Sequence, residues 1–314
     1  MRTTATESYP RHRTLMQWLL LMLVLVALVL GTLLSVVACA PTAALNALAS
    51  GSTHTRITDV SYGPLPRQKL DVYRPNGQAP AGGWPVVVFF YGGSWNSGER
   101  AQYAFVGEAL ASRGVLALLA DYRLYPEVRY PRFLEDSALA LAHGLQHAAT
   151  WGGNPRRVYV MGHSAGAYNA AMLALDPRWL AATGRAPAEL AGFIGLAGPY
   201  EFLPMTNVAA QPVFFHPNYP PGTQPVDHAS AHASRQAGQA AAPRTFLGAA
   251  ASDPLVDPER NSAALAALLR AAGTDVTLRR YERVNHLTLI GVFAQPLRWL
   301  APVLDDVAVF INGA

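Results

Sequence analysis

Gly162-His163-Ser164-Ala165-Gly166 constrains this chain more than any other stretch, because an apolar run precedes it and a helical pattern follows it. Val158 to Met161 reads as a buried strand and Ala165 to Leu175 as a helix, which puts the serine on the turn between them, the arrangement of a nucleophile elbow. The two glycines suit that turn because strand and helix backbones approach too closely there for a Cβ. Ser164 is expected to take a strained backbone conformation that holds its hydroxyl clear of the sheet edge.

The rest of the chain repeats the alternation of strand and helix. Arg56 to Tyr62 and Lys69 to Tyr73 read as an antiparallel hairpin, and Trp84 to Phe90 and Val115 to Ala120 as strands covered on both faces. Helical patterns follow over Ala101 to Ser112 and Phe133 to Ala149, with Leu134, Ala138, Leu141 and Leu145 on one stripe of the second. After the elbow come a strand near Gly192 to Leu196, a strand over Thr245 to Ala249, a helix over Pro258 to Ala272, a strand over Asp275 to Tyr281 and a closing helix over Leu297 to Ile311. Phe202 to Pro243 has no period and is expected to pass over the sheet edge as an irregular partial lid, at about residues 202–243. The pattern predicts an α/β fold with a mostly parallel central sheet flanked by helices, built from residues 55–314 as one domain.

In such a sheet, ligands bind beyond the C-terminal ends of the strands. Ser164, Asp253 and His286 each fall just after a predicted strand and make a candidate nucleophile, orienting acid and general base. The serine hydroxyl needs a base to take its proton, and the base needs an acid to fix its tautomer and stabilise its cation. Asp257 is the rival acid, but its place before Pro258 at a helix start reads as an N-cap. Tyr91-Gly92-Gly93-Ser94-Trp95 follows a buried strand and supplies amides for an oxyanion. Gly93 and Ala165 are the expected donors, with Gly92 shaping the turn or donating as well.

As an ordered set, these motifs resemble the esterase and lipase side of the α/β-hydrolases, close to hormone-sensitive-lipase-like carboxylesterases, feruloyl-esterase-like domains and arylformamidases. Asp121-Tyr122-Arg123-Leu124-Tyr125-Pro126 and Gly195-Leu196-Ala197-Gly198-Pro199-Tyr200 extend the match over Arg56 to Gly313. The resemblance implies an α/β-hydrolase fold and an ester hydrolase. It differs at Tyr91, where that family carries histidine. It also implies that Asp121 and Arg123 support the site from behind, read here as an Asp–Arg pair locking a loop. Trp95, Tyr168, Tyr200, Phe202 and Leu289 are expected near the rim of an apolar acyl or aromatic pocket.

Trp18 to Ala38 is a nearly unbroken apolar stretch preceded by Arg11, His12 and Arg13. Residues 1–39 are therefore expected to be a signal or membrane-anchor segment, and 40–54 a tether. Val36-Val37-Ala38-Cys39 resembles the lipobox of bacterial lipoproteins, which makes Cys39 a candidate for lipidation, with an uncleaved anchor as the alternative. Either fate places the domain at the bacterial cell envelope, outside the cytoplasm. Cys39 is the sole cysteine, so no internal disulfide forms, and the domain depends on its core. Arg2, Arg11 and Arg13 against Glu7 account for +2 of the net +4, so the remainder is only slightly basic and offers no nucleic-acid surface. The nine histidines show no metal-ligand spacing, and no metal or cofactor is expected. The expected partner is a small ester. An aryl-formamide substrate and a catalytically silent binding domain are the alternatives.

Overall fold

A computed structural model describes residues 11–39, 41–47, 49, 51–233 and 242–313, with side chains described over 15–28, 31, 42–47, 49, 51–229 and 242–313. Two compact units divide the chain, Met1–Ala47 and Leu48–Ala314. The first contains helices α1 (Arg11–Cys39) and α2 (Pro41–Ala47). The alanine-rich α2, with proline at its first position, forms helix where the sequence reads as tether.

The membrane segment expected at the N-terminus is not sustained. Among the described residues no helix is long and apolar enough to cross a membrane. The expected signal peptide or anchor, the membrane as a partner and the envelope location fall with it. The side chain of Cys39, on which lipidation was expected, lies outside the described side chains.

The second unit is built on eight strands: β1 (His54–Ser61), β2 (Lys69–Pro75), β3 (Trp84–Phe90), β4 (Leu116–Ala120), β5 (Gly153–His163), β6 (Gly192–Leu196), β7 (Thr245–Ala250) and β8 (Val276–Tyr281). They form one sheet in the order β1-β2-β4-β3-β5-β6-β7-β8. β1 and β2 pair antiparallel and β2 runs antiparallel to β4, while β3 to β8 are all parallel. Every residue of β3, β4, β6 and β7 is buried, which explains their continuous apolar sequences. The edge strands β1 and β8 are largely exposed or half-buried and carry the polar residues.

Helices α3 (Ala104–Ser112), α4 (Arg132–His147), α5 (Ala165–Leu175), α6 (Pro177–Ala181), α7 (Pro225–Ala233), α8 (Ala264–Ala271), α9 (His286–Gly291) and α10 (Val303–Asn312) complete the unit. α3 packs on β2, β4 and α10, and α4 packs on α5, β3 and β5. These layers lie on opposite faces. Gly107 of α3 abuts Tyr73, which stands beside Ala117, whereas Gly144 of α4 abuts Val88 and Leu118, and adjacent residues of a strand point opposite ways. The chain thus leaves β3 toward β4 and later returns past β3 to β5. The ends of β3 and β5 flank the point where the strand order reverses, the crevice in which such sheets bind ligands.

Two expected helices begin late. The closing helix starts at Val303 because Pro302 disfavours helical backbone in the residue before it, and a single 3₁₀ turn covers Gln295–Leu297. The helix after β7 opens as a π turn over Glu259–Ala263 before α8. The irregular stretch from Phe202 holds a 3₁₀ turn at Gln211–Phe214 and then α7.

Candidate active site

Ser164 has φ 54° and ψ −124°, a left-handed conformation that costs about 1–3 kcal/mol and is held by its surroundings. The surroundings leave no room for relaxation. A Cβ on Gly162 would lie 2.1 Å from the Gly166 carbonyl oxygen, and one on Gly166 would lie 2.0 Å from that of Phe90. The elbow is therefore clamped between the end of β3 and the first turn of α5.

His286 Nε2 lies 2.8 Å from Ser164 Oγ. Its Nδ1 lies 2.7 Å from Asp253 Oδ2. A carboxylate only accepts, so Nδ1 carries the proton and the bare Nε2 accepts from the serine hydroxyl. The other Asp253 oxygen accepts from the amides of Leu255 and Val256 at 2.8 and 2.9 Å, which fixes the carboxylate on its turn. Burial pushes this carboxyl up, but the hydrogen bond and charge of His286, with those two amides, hold it below its ordinary value. Asp257 caps the following turn through Glu259 and Arg260, at 2.8 and 3.1 Å.

The loop after β3 runs against the elbow. A Cβ on Gly92 would stand 2.9 Å from that of Ser164, and Gly93, Ser94 and Trp95 have φ of 129°, 49° and 57°. Three successive residues of positive φ turn the peptide groups of Gly92 and Gly93 sharply beside the serine, and Ala165 opens α5 on its other side. Tyr91 is fully buried and stacks on Tyr122 at 4.9 Å and Tyr103 at 5.6 Å. Arg67 donates to the Tyr91 hydroxyl at 2.7 Å and to the Gly98 carbonyl at 2.8 Å, which braces both ends of the loop.

A cleft of about 620 Å³ opens over Ser164, Asp253 and His286. Trp95 and Phe202 line it. Tyr168, Tyr200 and Leu289 do not. All three are fully buried behind the wall, with the Tyr168 hydroxyl donating to the Thr223 carbonyl at 2.8 Å. Sequence reading missed Ser94, Glu201, Met205, Asn207, Leu255 and Arg260, which also line the cleft. Glu201 and Arg260 follow the ends of β6 and β7, so the strand-end rule that finds Asp253 also reaches them.

The expected pairing of Asp121 with Arg123 is not made, because each has another partner. Arg123 donates to Asp136 through Nε at 2.7 Å and Nη2 at 2.9 Å. Asp121 instead meets Arg100, which also bonds Asp59 and reaches Asp71 at 2.9 Å.

His163, inside the elbow, is buried with its ring 5.0 Å from that of His286. Its Nε2 donates to the His286 carbonyl at 2.9 Å, and its Nδ1 has no partner. Burial, and secondarily the neighbouring His286, push its pKa down to about 3. The unfolded chain takes a proton there below about pH 6.5, whereas the folded chain takes one only near pH 3. Stability should therefore rise with pH across that window, by up to roughly 5 kcal/mol in all. The depressed Asp253 carboxyl adds a loss of the same sign once pH falls below about 4. Urea denaturation at pH 7.5, 6 and 5 measures the slope. His163→Gln should flatten it, and a wild-type curve already flat between pH 7 and 5 would refute the assignment.

The family model described as alpha/beta hydrolase fold matches residues 87–290. The chain belongs to the α/β-hydrolase-fold family. Among curated relatives of this α/β-hydrolase, a probable isoprenylcysteine alpha-carbonyl methylesterase of Oryza sativa subsp. japonica is 34% identical over 154 residues, 47% of this chain and 36% of that protein. The chain thus spans about a third of that relative's length. Carboxylesterase NlhH of Mycobacterium tuberculosis is 32% identical over 215 residues, 64% of this chain and 66% of its own length. Esterase B from Lactobacillus rhamnosis, solved with a tributyrin phosphonate, superposes with a TM-score of 0.66 at 19% identity, covering 90% of this chain and 96% of that one. That likeness is one of fold.

Proposed function

We propose that this α/β-hydrolase cleaves carboxylic esters of small or moderately hydrophobic acyl groups through an acyl-enzyme. The observation that carries the reading is the unbroken hydrogen-bonded chain from Ser164 through His286 to Asp253 at the floor of the cleft. Ser164 Oγ attacks the ester carbonyl while its proton passes to His286 Nε2. The carbonyl electrons move onto the oxygen, which the amides of Gly93 and Ala165 stabilise, with Gly92 shaping the turn or donating as well. Collapse breaks the bond to the alcohol oxygen, and His286 returns its proton to that leaving group. Water then repeats the cycle and releases the acid. Asp253 holds the imidazole in its working tautomer and stabilises its cation. Esterase names among the relatives support the same reading.

A fluorophosphonate probe should label Ser164 and leave Ser164→Ala unlabelled, and p-nitrophenyl esters should be turned over by the wild type alone. Trp95, Phe202, Met205 and Ala210 make a short apolar wall, so kcat/KM should fall by at least about tenfold from butyrate to palmitate. An unlabelled wild-type Ser164, or full turnover by Ser164→Ala, would rule out the mechanism.

A further inference from the structure

The two ends of the cleft differ in chemistry. Asn207 donates to Ser94 Oγ at 3.1 Å and Asn96 donates to the Ala209 carbonyl at 3.0 Å, so residues 205–210 lie along the loop after β3. Phe202 packs on Phe214 at 5.2 Å, and Phe214 on Trp95 at 4.8 Å. That end is apolar. At the other end, Asn261 accepts from the amides of Tyr200 and Glu201 at 2.6 and 2.9 Å, and Arg260 Nη2 donates to the Leu203 carbonyl at 2.6 Å. These bonds tie Glu201 to the segment that follows Asp253. Arg260 Nε lies 3.4 Å from Glu201 Oε1. Arg260 Nη1 and Glu201 Oε2 bond no other group among the described residues, and both side chains line the cleft.

The proposed chemistry orients an ester between these ends. Its carbonyl oxygen must face Gly93 and Ala165, and its alcohol oxygen must lie where His286 Nε2 can protonate it. With the acyl group against the apolar side chains of Trp95 and Phe202, the alcohol lies toward the Asp253 to Asn261 segment. That end offers a charged donor beside a charged acceptor, with no net charge between them, and Asp257 at the rim disfavours anions. Adjacent hydroxyl groups fit such a pair, since each both donates and accepts.

We propose that Glu201 and Arg260 form a leaving-group subsite for the neutral polyhydroxyl alcohol of the ester, with a short acyl group at the opposite end. The proposal rests on the serine-esterase reading above.

The test compares glucose 6-acetate with cyclohexylmethyl acetate, which keeps the acyl group and ring but carries no hydroxyls. The ratio of their kcat/KM values should favour the sugar ester in the wild type. It should fall by about tenfold or more in Arg260→Met and in Glu201→Gln. Glu201→Gln retains the Arg260 bond to the Leu203 carbonyl, so it separates recognition from loss of the insert's anchor. A ratio unchanged within about twofold in both variants, or a wild type that turns over p-nitrophenyl acetate but not the sugar ester, overturns the subsite and leaves the esterase standing. No turnover of any ester, with Ser164 unlabelled, sinks both.

Discussion

His286→Gln should lower kcat for p-nitrophenyl butyrate by about 10⁴-fold or more while the protein stays folded. The substitution leaves a polar side chain of similar size, but its amide neither accepts the serine proton nor returns it to the alcohol. Asp253→Asn should cost about the same order, because an amide facing Nδ1 no longer enforces the tautomer that leaves Nε2 bare. The two losses should not add, since the residues act through one proton path. Stopped assays with purified variants, alongside a thermal melt of each, decide the matter. A His286→Gln enzyme within tenfold of wild type would remove His286 from the reaction.

Gly166→Ala should be among the most damaging single methyls at the described glycines. The added carbon would lie 2.0 Å from the Phe90 carbonyl oxygen and 2.5 Å from that of Tyr91. Both obstacles are backbone at the end of a fully buried strand, so neither can swing aside as a side chain would. Relief requires α5 to move away from β3, at a cost of at least about 3 kcal/mol. The same movement would separate Ala165 from the loop that holds Gly93, so any protein that survives should also lose activity. Denaturant unfolding of the variant against wild type gives the first quantity, and burst labelling of Ser164 gives the second. Wild-type stability in Gly166→Ala would mean that strand and helix are not clamped there.

The sheet was legible where burial is complete. Val86 to Phe90 and Leu116 to Ala120 are apolar at every position because helices cover both faces, and so short an unbroken apolar run between turn signals marks a central strand. Ser164, Asp253 and His286 were found by one topological rule, the placement of polar residues after parallel strands, and hydrogen bonds at 2.7 and 2.8 Å join them. The same rule was not carried on to Glu201 and Arg260, whose charges suggest an ordinary wet surface. Pocket aromatics were harder. All eleven residues of α5 are buried, so its pattern gives no sign of which face meets ligand, and Tyr168 turned out to be wall rather than lining. Asp121 and Arg123 misled through nearness in sequence: their partners, Arg100 and Asp136, are 21 and 13 residues away. At the N-terminus, hydropathy along the chain suggested a membrane crossing that no described helix has the length and apolarity to make.

On the esterase reading, the stitching of Asn207 to Ser94, and of Asn96 to the Ala209 carbonyl, would act as a ruler for the acyl group. An acyl tail that outgrew the apolar end would have to press residues 205–210 outward, and those residues bond directly to the loop proposed to hold the oxyanion. Overlong tails would thus be penalised at the bond-breaking step as well as on entry, so discrimination by length should register in kcat alongside KM.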